Sequence, residues 1–90
     1  MKEPELGKAT LHLGFNNIVM RSEIVAFQSP LSAKAMRIKR RAEEEGRLID
    51  MTHGRRTRAL VITKSNHVLL SMVTCEMLRA RVERMEEGNG

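Results

Sequence analysis

Apolar residues along the chain come in short runs separated by turn chemistry, and their spacing changes character partway along. Leu11-His12-Leu13 and Ile18-Val19-Met20 flank Gly14-Phe15-Asn16-Asn17, and Gly and Asn tolerate the positive φ of a tight turn. Ile24-Val25-Ala26-Phe27 follows, so residues 1–28 predict two or three short strands. Leu31, Ala35, Ile38 and Ala42, with Met36 alongside, then recur at helical spacing and form one apolar stripe. Ser29 is placed to cap this helix, with Pro30 at its first position, where a missing N–H costs nothing. Gly46 is the natural stop. Glu43, Glu44 and Glu45 fall in the last turn, where the macrodipole disfavours them, and are expected to pair with Lys39, Arg40 or Arg41.

Beyond Gly46 the helical period is lost. Leu48-Ile49-Asp50-Met51 predicts a short strand, and Thr52-His53-Gly54-Arg55-Arg56-Thr57 a polar loop. Ala59-Leu60-Val61-Ile62 and Val68-Leu69-Leu70 predict two more strands, joined by Thr63-Lys64-Ser65-Asn66. Neither run alternates, so this hairpin is apolar on both faces and needs cover on both. A second helix, capped by Thr74 and running to Glu87 with Leu78, Val82 and Met85 as its stripe, can cover one side. Two helices can just achieve full cover within one chain. Self-association is the other route, and a homo-oligomer is expected on this ground. The reading is a small single α+β domain over residues 10–87, with short antiparallel strands and two helices. Residues 1–9 are expected to be disordered or frayed, and residues 88–90 a frayed tail.

Composition narrows the classes. Ninety residues, 41% hydrophobic, suit one globular domain, yet only Phe15 and Phe27 are aromatic. The single cysteine, Cys75, excludes a disulfide framework and a cysteine-based zinc finger. No stretch reads as a signal peptide or a membrane span, so a cytoplasmic, nucleoid-associated protein is expected. The net charge of +5 is local: residues 34–58 hold nine basic and four acidic side chains, whereas residues 1–33 hold three of each. Eleven of the sixteen basic residues are Arg, whose planar fork suits phosphate.

Enzymatic chemistry finds little support. Cys75 could carry a lowered pKa at a helix start, but His12, His53 and His67 stand at no spacing that makes one its base. Those four side chains match no metal-ligand pattern, and Gly54-Arg55-Arg56-Thr57 lacks the rest of a phosphate-binding loop. No enzyme, metal or other cofactor is expected. The informative feature is Gly54 followed by Arg55, Arg56 and Arg58: a residue that lets backbone approach a surface, then three cations. If the chain is extended here, Arg56 and Arg58 share a face and Arg55 points the other way. The plainer alternative is that these arginines guard a strand edge, a task usually given to Lys.

Single-strand and RNA readers stack bases on aromatic side chains, and both Phe lie far in sequence from the basic segment. Duplex DNA held through its backbone is therefore the expected partner. One loop makes few phosphate contacts, and repetition around a homo-oligomer supplies avidity. The helix arginines Arg37, Arg40 and Arg41 are secondary candidates for DNA or subunit contacts. The rival reading is an interaction protein whose basic loops meet acidic proteins or anionic surfaces.

Gly14-Phe15-Asn16-Asn17-Ile18-Val19, Ser29-Pro30 with Ser32-Ala33, Gly46-Arg47-Leu48-Ile49-Asp50, Thr52-His53-Gly54-Arg55-Arg56-Thr57-Arg58-Ala59 and Ser65-Asn66-His67-Val68-Leu69-Leu70-Ser71 occur in order. Together they resemble the RemA-like family of bacterial extracellular-matrix regulators over about residues 11–82. The resemblance implies a small α+β fold, a ring-like homo-oligomer, and a DNA-binding activator of biofilm-matrix genes. It also implies DNA contact through Arg55 and Arg56, with Arg58 adjacent. This chain departs from the family pattern at Met20-Arg21-Ser22-Glu23, where Glu23 replaces a basic position and Arg21 is expected to compensate from the same strand face. It departs again at Lys34, in place of Pro, and at Thr74-Cys75-Glu76-Met77.

Overall fold

The doubly apolar hairpin is the centre of the molecule. The computed structural model describes residues 10–88, with side chains through residue 86. The expected loose N-terminus (residues 1–9) and the tail residues Asn89 and Gly90 lie outside the described residues. In chain order the elements are β1 (Thr10–Gly14), β2 (Asn17–Met20), a 3₁₀ turn (Arg21–Glu23), β3 (Ile24–Gln28), α1 (Ala33–Glu44), β4 (Leu48–Asp50), β5 (Ala59–Thr63), β6 (Val68–Ser71) and α2 (Cys75–Gly88). Strands β5 and β6 pair antiparallel and are buried along almost their whole length. β3 flanks them on one side and β4 on the other, giving a four-stranded sheet in the order β3-β5-β6-β4.

Strand alternation sorts the side chains of this sheet into two cores. Leu60, Val68 and Leu70 point to one face, where Ala35 and Ala42 of α1 meet them, with Ile38 and Leu48 at the rim. Ala59, Val61 and Leu69 point to the other, where they meet Leu78 of α2 and Leu11 and Leu13 of β1. The β1–β2 hairpin is thus a third cover beside the two helices, one the spacing does not announce. Both faces of β5–β6 are covered within one chain, so this hairpin does not itself call for a second copy. Gly14 makes the docking close: a Cβ built there would stand 3.1 Å from Met72 Cγ. The Ser71 hydroxyl donates to the Leu13 carbonyl (3.0 Å), and Arg81 of α2 donates to the His12 carbonyl (2.8 Å), tying β1 to sheet and helix.

Four features depart from expectation. α1 is capped by Ser32, whose hydroxyl accepts from the Ala35 N–H at 3.0 Å. Ser29 instead accepts from the Leu31 N–H, so Pro30 and Leu31 form a turn outside the helix and Leu31 is 79% exposed. Two serines three apart both offer a cap, and the later one places Ala35 inward. Gly46 ends the helix as expected, at φ +73, with the Arg47 N–H donating to Ala42 and the Gly46 N–H to Glu43. Glu45 pairs with Arg47 (2.6 Å) beyond the helix, rather than with a helical lysine or arginine. Gly88, expected in the tail, belongs to α2. Finally, the sheet is mixed: β4 runs parallel to β6 and so in the same direction as β3, with α1 carrying the chain back between them.

Leu78 is fully buried at the junction of α2, β1 and the sheet. Leu78→Ala is expected to lower stability by about 3 kcal/mol, seen as a reduced denaturant midpoint at unchanged m-value.

Candidate nucleic-acid interface

The arginine loop is fixed at both ends. Entering it, Asp50 Oδ1 accepts from the Thr52 N–H (2.8 Å) and the Thr52 hydroxyl (2.6 Å), and Thr52 itself is buried. Leaving it, the Arg58 N–H donates to the Ser71 carbonyl at 2.8 Å. Between them Thr52-His53-Gly54-Arg55 makes a tight turn closed by the Arg55 N–H on the Thr52 carbonyl (3.0 Å). His53 (φ +54) and Gly54 (φ +82) both take positive φ, the pairing of a type I′ turn. Gly54 is expected from the sequence to let the backbone approach a surface; what it supplies here is the positive φ of this turn, and a Cβ built on it would meet nothing within 4 Å. The Asp50 carboxyl is held below its ordinary pKa chiefly by the hydroxyl and amide bonds from Thr52, opposed by slight desolvation and aided by the charges of Lys39 and His53.

A second turn meets the first. Phe15 (φ +52) and Asn16 (φ +63) are the two central residues of the β1–β2 connection. The Phe15 ring lies against the His53 ring, centroids 4.6 Å apart at 40°, and the Arg55 guanidinium carbon stands 5.5 Å from the Phe15 centroid. Asn17 completes the junction by donating its side-chain amide to the Met51 carbonyl at 3.4 Å. This overturns the expectation that both Phe lie apart from the basic segment. Phe15 is remote in sequence and adjacent in space. The sequence held one pointer to it: a bulky residue at a turn position that ordinarily takes Asn, Asp or Gly.

Arg55, Arg56 and Arg58 are all exposed. Arg56 and Arg58 line one shallow depression with Thr57, Ser29, Pro30, Leu31 and Thr74, while Arg55 closes the turn and lies over Phe15. The extended chain on which the expected division of faces is premised therefore does not include Arg55. Arg37, Arg40 and Arg41 line a groove of about 410 Å³ along α1 together with Lys34, Ile38 and one carboxylate, Glu44. This groove shares no lining residue with the depression beside Arg56 and Arg58. Arg21 joins neither. It lies in the 3₁₀ turn rather than on a strand face, at the end of β2 away from Phe15, and pairs with Glu86 of α2. The compensation expected of Arg21 for Glu23 therefore has no geometric basis. Glu23 offers its backbone carbonyl to the Lys64 N–H (2.7 Å) at the far end of the sheet from the arginine loop.

Cys75 is half-buried, and desolvation pushes its thiol up rather than down. Among the described residues no group of His, Cys, Asp and Glu could hold a metal ion, and no helix is long and apolar enough to cross a membrane.

Replacing the Asp50 carboxylate tests the anchor of the loop. Asp50→Ala leaves the N–H and hydroxyl of buried Thr52 without their partner and is expected to cost about 1–2 kcal/mol in chemical denaturation. Because the folded pKa is depressed, the stability Asp50 contributes is complete above the unfolded carboxylate value of about 4 and is lost as pH falls through the lower folded value. Asp50→Asn keeps an acceptor but should flatten that acid limb of the stability profile.

Known proteins are similar to this chain along most of its length. The family profile described as extracellular matrix regulatory protein A-like matches residues 10–82. A Clostridium botulinum protein is 46% identical over 82 residues, 91% of this chain and 92% of its own. A Kosmotoga olearia protein is 46% identical over 71 residues, 79% of this chain and 72% of its own. One from Caldicellulosiruptor saccharolyticus is 49% identical over 77 residues, 86% and 76% of the two chains. Each of the three bears the name "Putative regulatory protein".

Proposed function

Since the chain belongs to the RemA-like family of extracellular matrix regulatory proteins, we propose that it regulates extracellular-matrix genes by binding duplex DNA through the arginine loop. The observation that carries this reading is the anchored loop itself. Arg55, Arg56 and Arg58 are held out on a turn fixed by Asp50, Thr52 and Ser71 and are not neutralised by an acidic partner among the described residues. Rigid presentation lowers the ordering cost of each phosphate contact. Lys34, Arg37, Arg40 and Arg41, with Glu44 among them, offer a second, net cationic surface along α1. Duplex remains the better fit than single strand, because one ring already engaged by Arg55 and His53 is no platform for successive bases.

A single loop gives few phosphate contacts, and affinity at physiological salt then requires repetition. We infer a homo-oligomer, ring-like as in the resemblance, that presents many loops to one duplex. Support comes from exposed apolar side chains outside the two cores: Ile18 and Met20 on the outer face of β2, Val25 on the edge strand β3, and Met77 on α2. The setting in which it meets DNA is the cytoplasm.

Arg55→Ala with Arg56→Ala should weaken binding to duplexes of any sequence. The slope of log K against log salt should flatten by about one unit for each phosphate that the variant no longer neutralises. The oligomer should persist. Undiminished binding by the double variant would remove the loop from the interface, and equal affinity of the parent for anionic vesicles would favour the rival of a general anionic-surface binder. A monomeric mass by sedimentation would remove the repetition.

A further inference from the structure

Phe15 is a costly residue for its place. It sits at φ +52, a left-handed conformation that a bulky side chain adopts only under constraint, and the residue remains 43% exposed outside both cores. A turn gains nothing from Phe here that Asn would not supply better. What the ring does meet is the loop: the His53 ring and the Arg55 guanidinium.

We propose that Phe15 is the positioning residue of the arginine interface, holding the Arg55 guanidinium aligned for phosphate. This rests on the reading of the loop as a DNA contact. A guanidinium held against an aromatic ring keeps its charge, and its outward N–H groups stay free for a bidentate bond to phosphate oxygens. The ring removes rotamer freedom that Arg55 would otherwise lose on binding. Two elements set the distance: the β1–β2 turn carries the ring, the Asp50-Thr52 anchor carries the arginine, and the Asn17 bond to the Met51 carbonyl joins them. His53 backs the ring from the same turn as Arg55, so neither partner is free to drift.

The test is a double-mutant cycle on duplex affinity, measured by fluorescence anisotropy across a salt series. Phe15→Leu removes the ring while keeping an apolar side chain, and should weaken binding roughly threefold or more. Its salt slope should match the parent, since Arg55 still reaches phosphate, whereas Arg55→Ala should lower the slope. Phe15→Tyr should bind as the parent does. In the Arg55→Ala background Phe15→Leu should have no further effect. Phe15→Asn should raise Tm, by relieving the left-handed backbone, while still weakening DNA binding, which separates the missing ring from a failure to fold. If Phe15→Leu binds as tightly as the parent, or weakens binding equally with Arg55 already absent, the positioning role is wrong, and the loop then stands or falls on the Arg55→Ala result alone. A parent with no salt-dependent duplex binding would overturn the interface and this inference together.

Discussion

Everything in this fold answers one constraint: strands β5 and β6 are apolar on both faces, and a chain of ninety residues must bury both. Leu60, Val68 and Leu70 are met by the small residues Ala35 and Ala42, which let α1 lie close to the sheet. Val61 and Leu69 are met by Leu78 and by Leu11 and Leu13, so a helix and a hairpin share the second face. Three separate pieces of chain are therefore drawn onto one small sheet. Their connections collect at its ends, and the arginine interface is built from two of those connections.

That origin explains the character of the interface. The β4–β5 loop has to travel from the parallel edge strand to the centre of the sheet, and its length leaves room for five residues beyond the Asp50-Thr52 anchor before Arg58 rejoins β6. The β1–β2 hairpin covers the face against which that loop starts, which brings its turn beside His53 and Arg55. Placement of the charges follows from core packing. Their chemistry does not, since nothing in the burial of β5 and β6 requires arginine at 55, 56 or 58.

Much of this is legible in the residues. The doubly apolar runs, the Ala35–Ile38–Ala42 stripe, the stop at Gly46 and the cap at Thr74 each depend on local spacing or on one residue's conformational preference. The arginine loop is legible for the same reason, being dense and adjacent in sequence. What escapes depends on long-range contact or on near-equal local choices. Ser29 and Ser32 are both competent caps, and only the inward placement of Ala35 decides between them. Parallel pairing of β4 with β6 leaves no periodic mark, and Arg21 looks like a free cation until α2 brings Glu86 to it. Phe15 is the hardest to place, because distance along the chain is a poor guide to distance across a hairpin that folds back over the sheet.

The two turns that meet at Phe15 and Arg55 each have two central residues. The β1–β2 turn closes a hairpin whose length fixes strand register, so one added residue would send alternate side chains to the opposite face. The Thr52–Arg55 turn instead lies in the β4–β5 loop, between strands that do not pair. The interface is thus a matter of chain length as much as of residue identity. Insertions at either turn would separate ring from guanidinium with every side chain retained. At the other end of the sheet, exposed Lys64, Ser65 and Asn66 bridge β5 and β6 away from this junction, and there the chain can lengthen without disturbing it. Divergence among related chains should therefore be read as two ends of one sheet, one closed to insertion and one open.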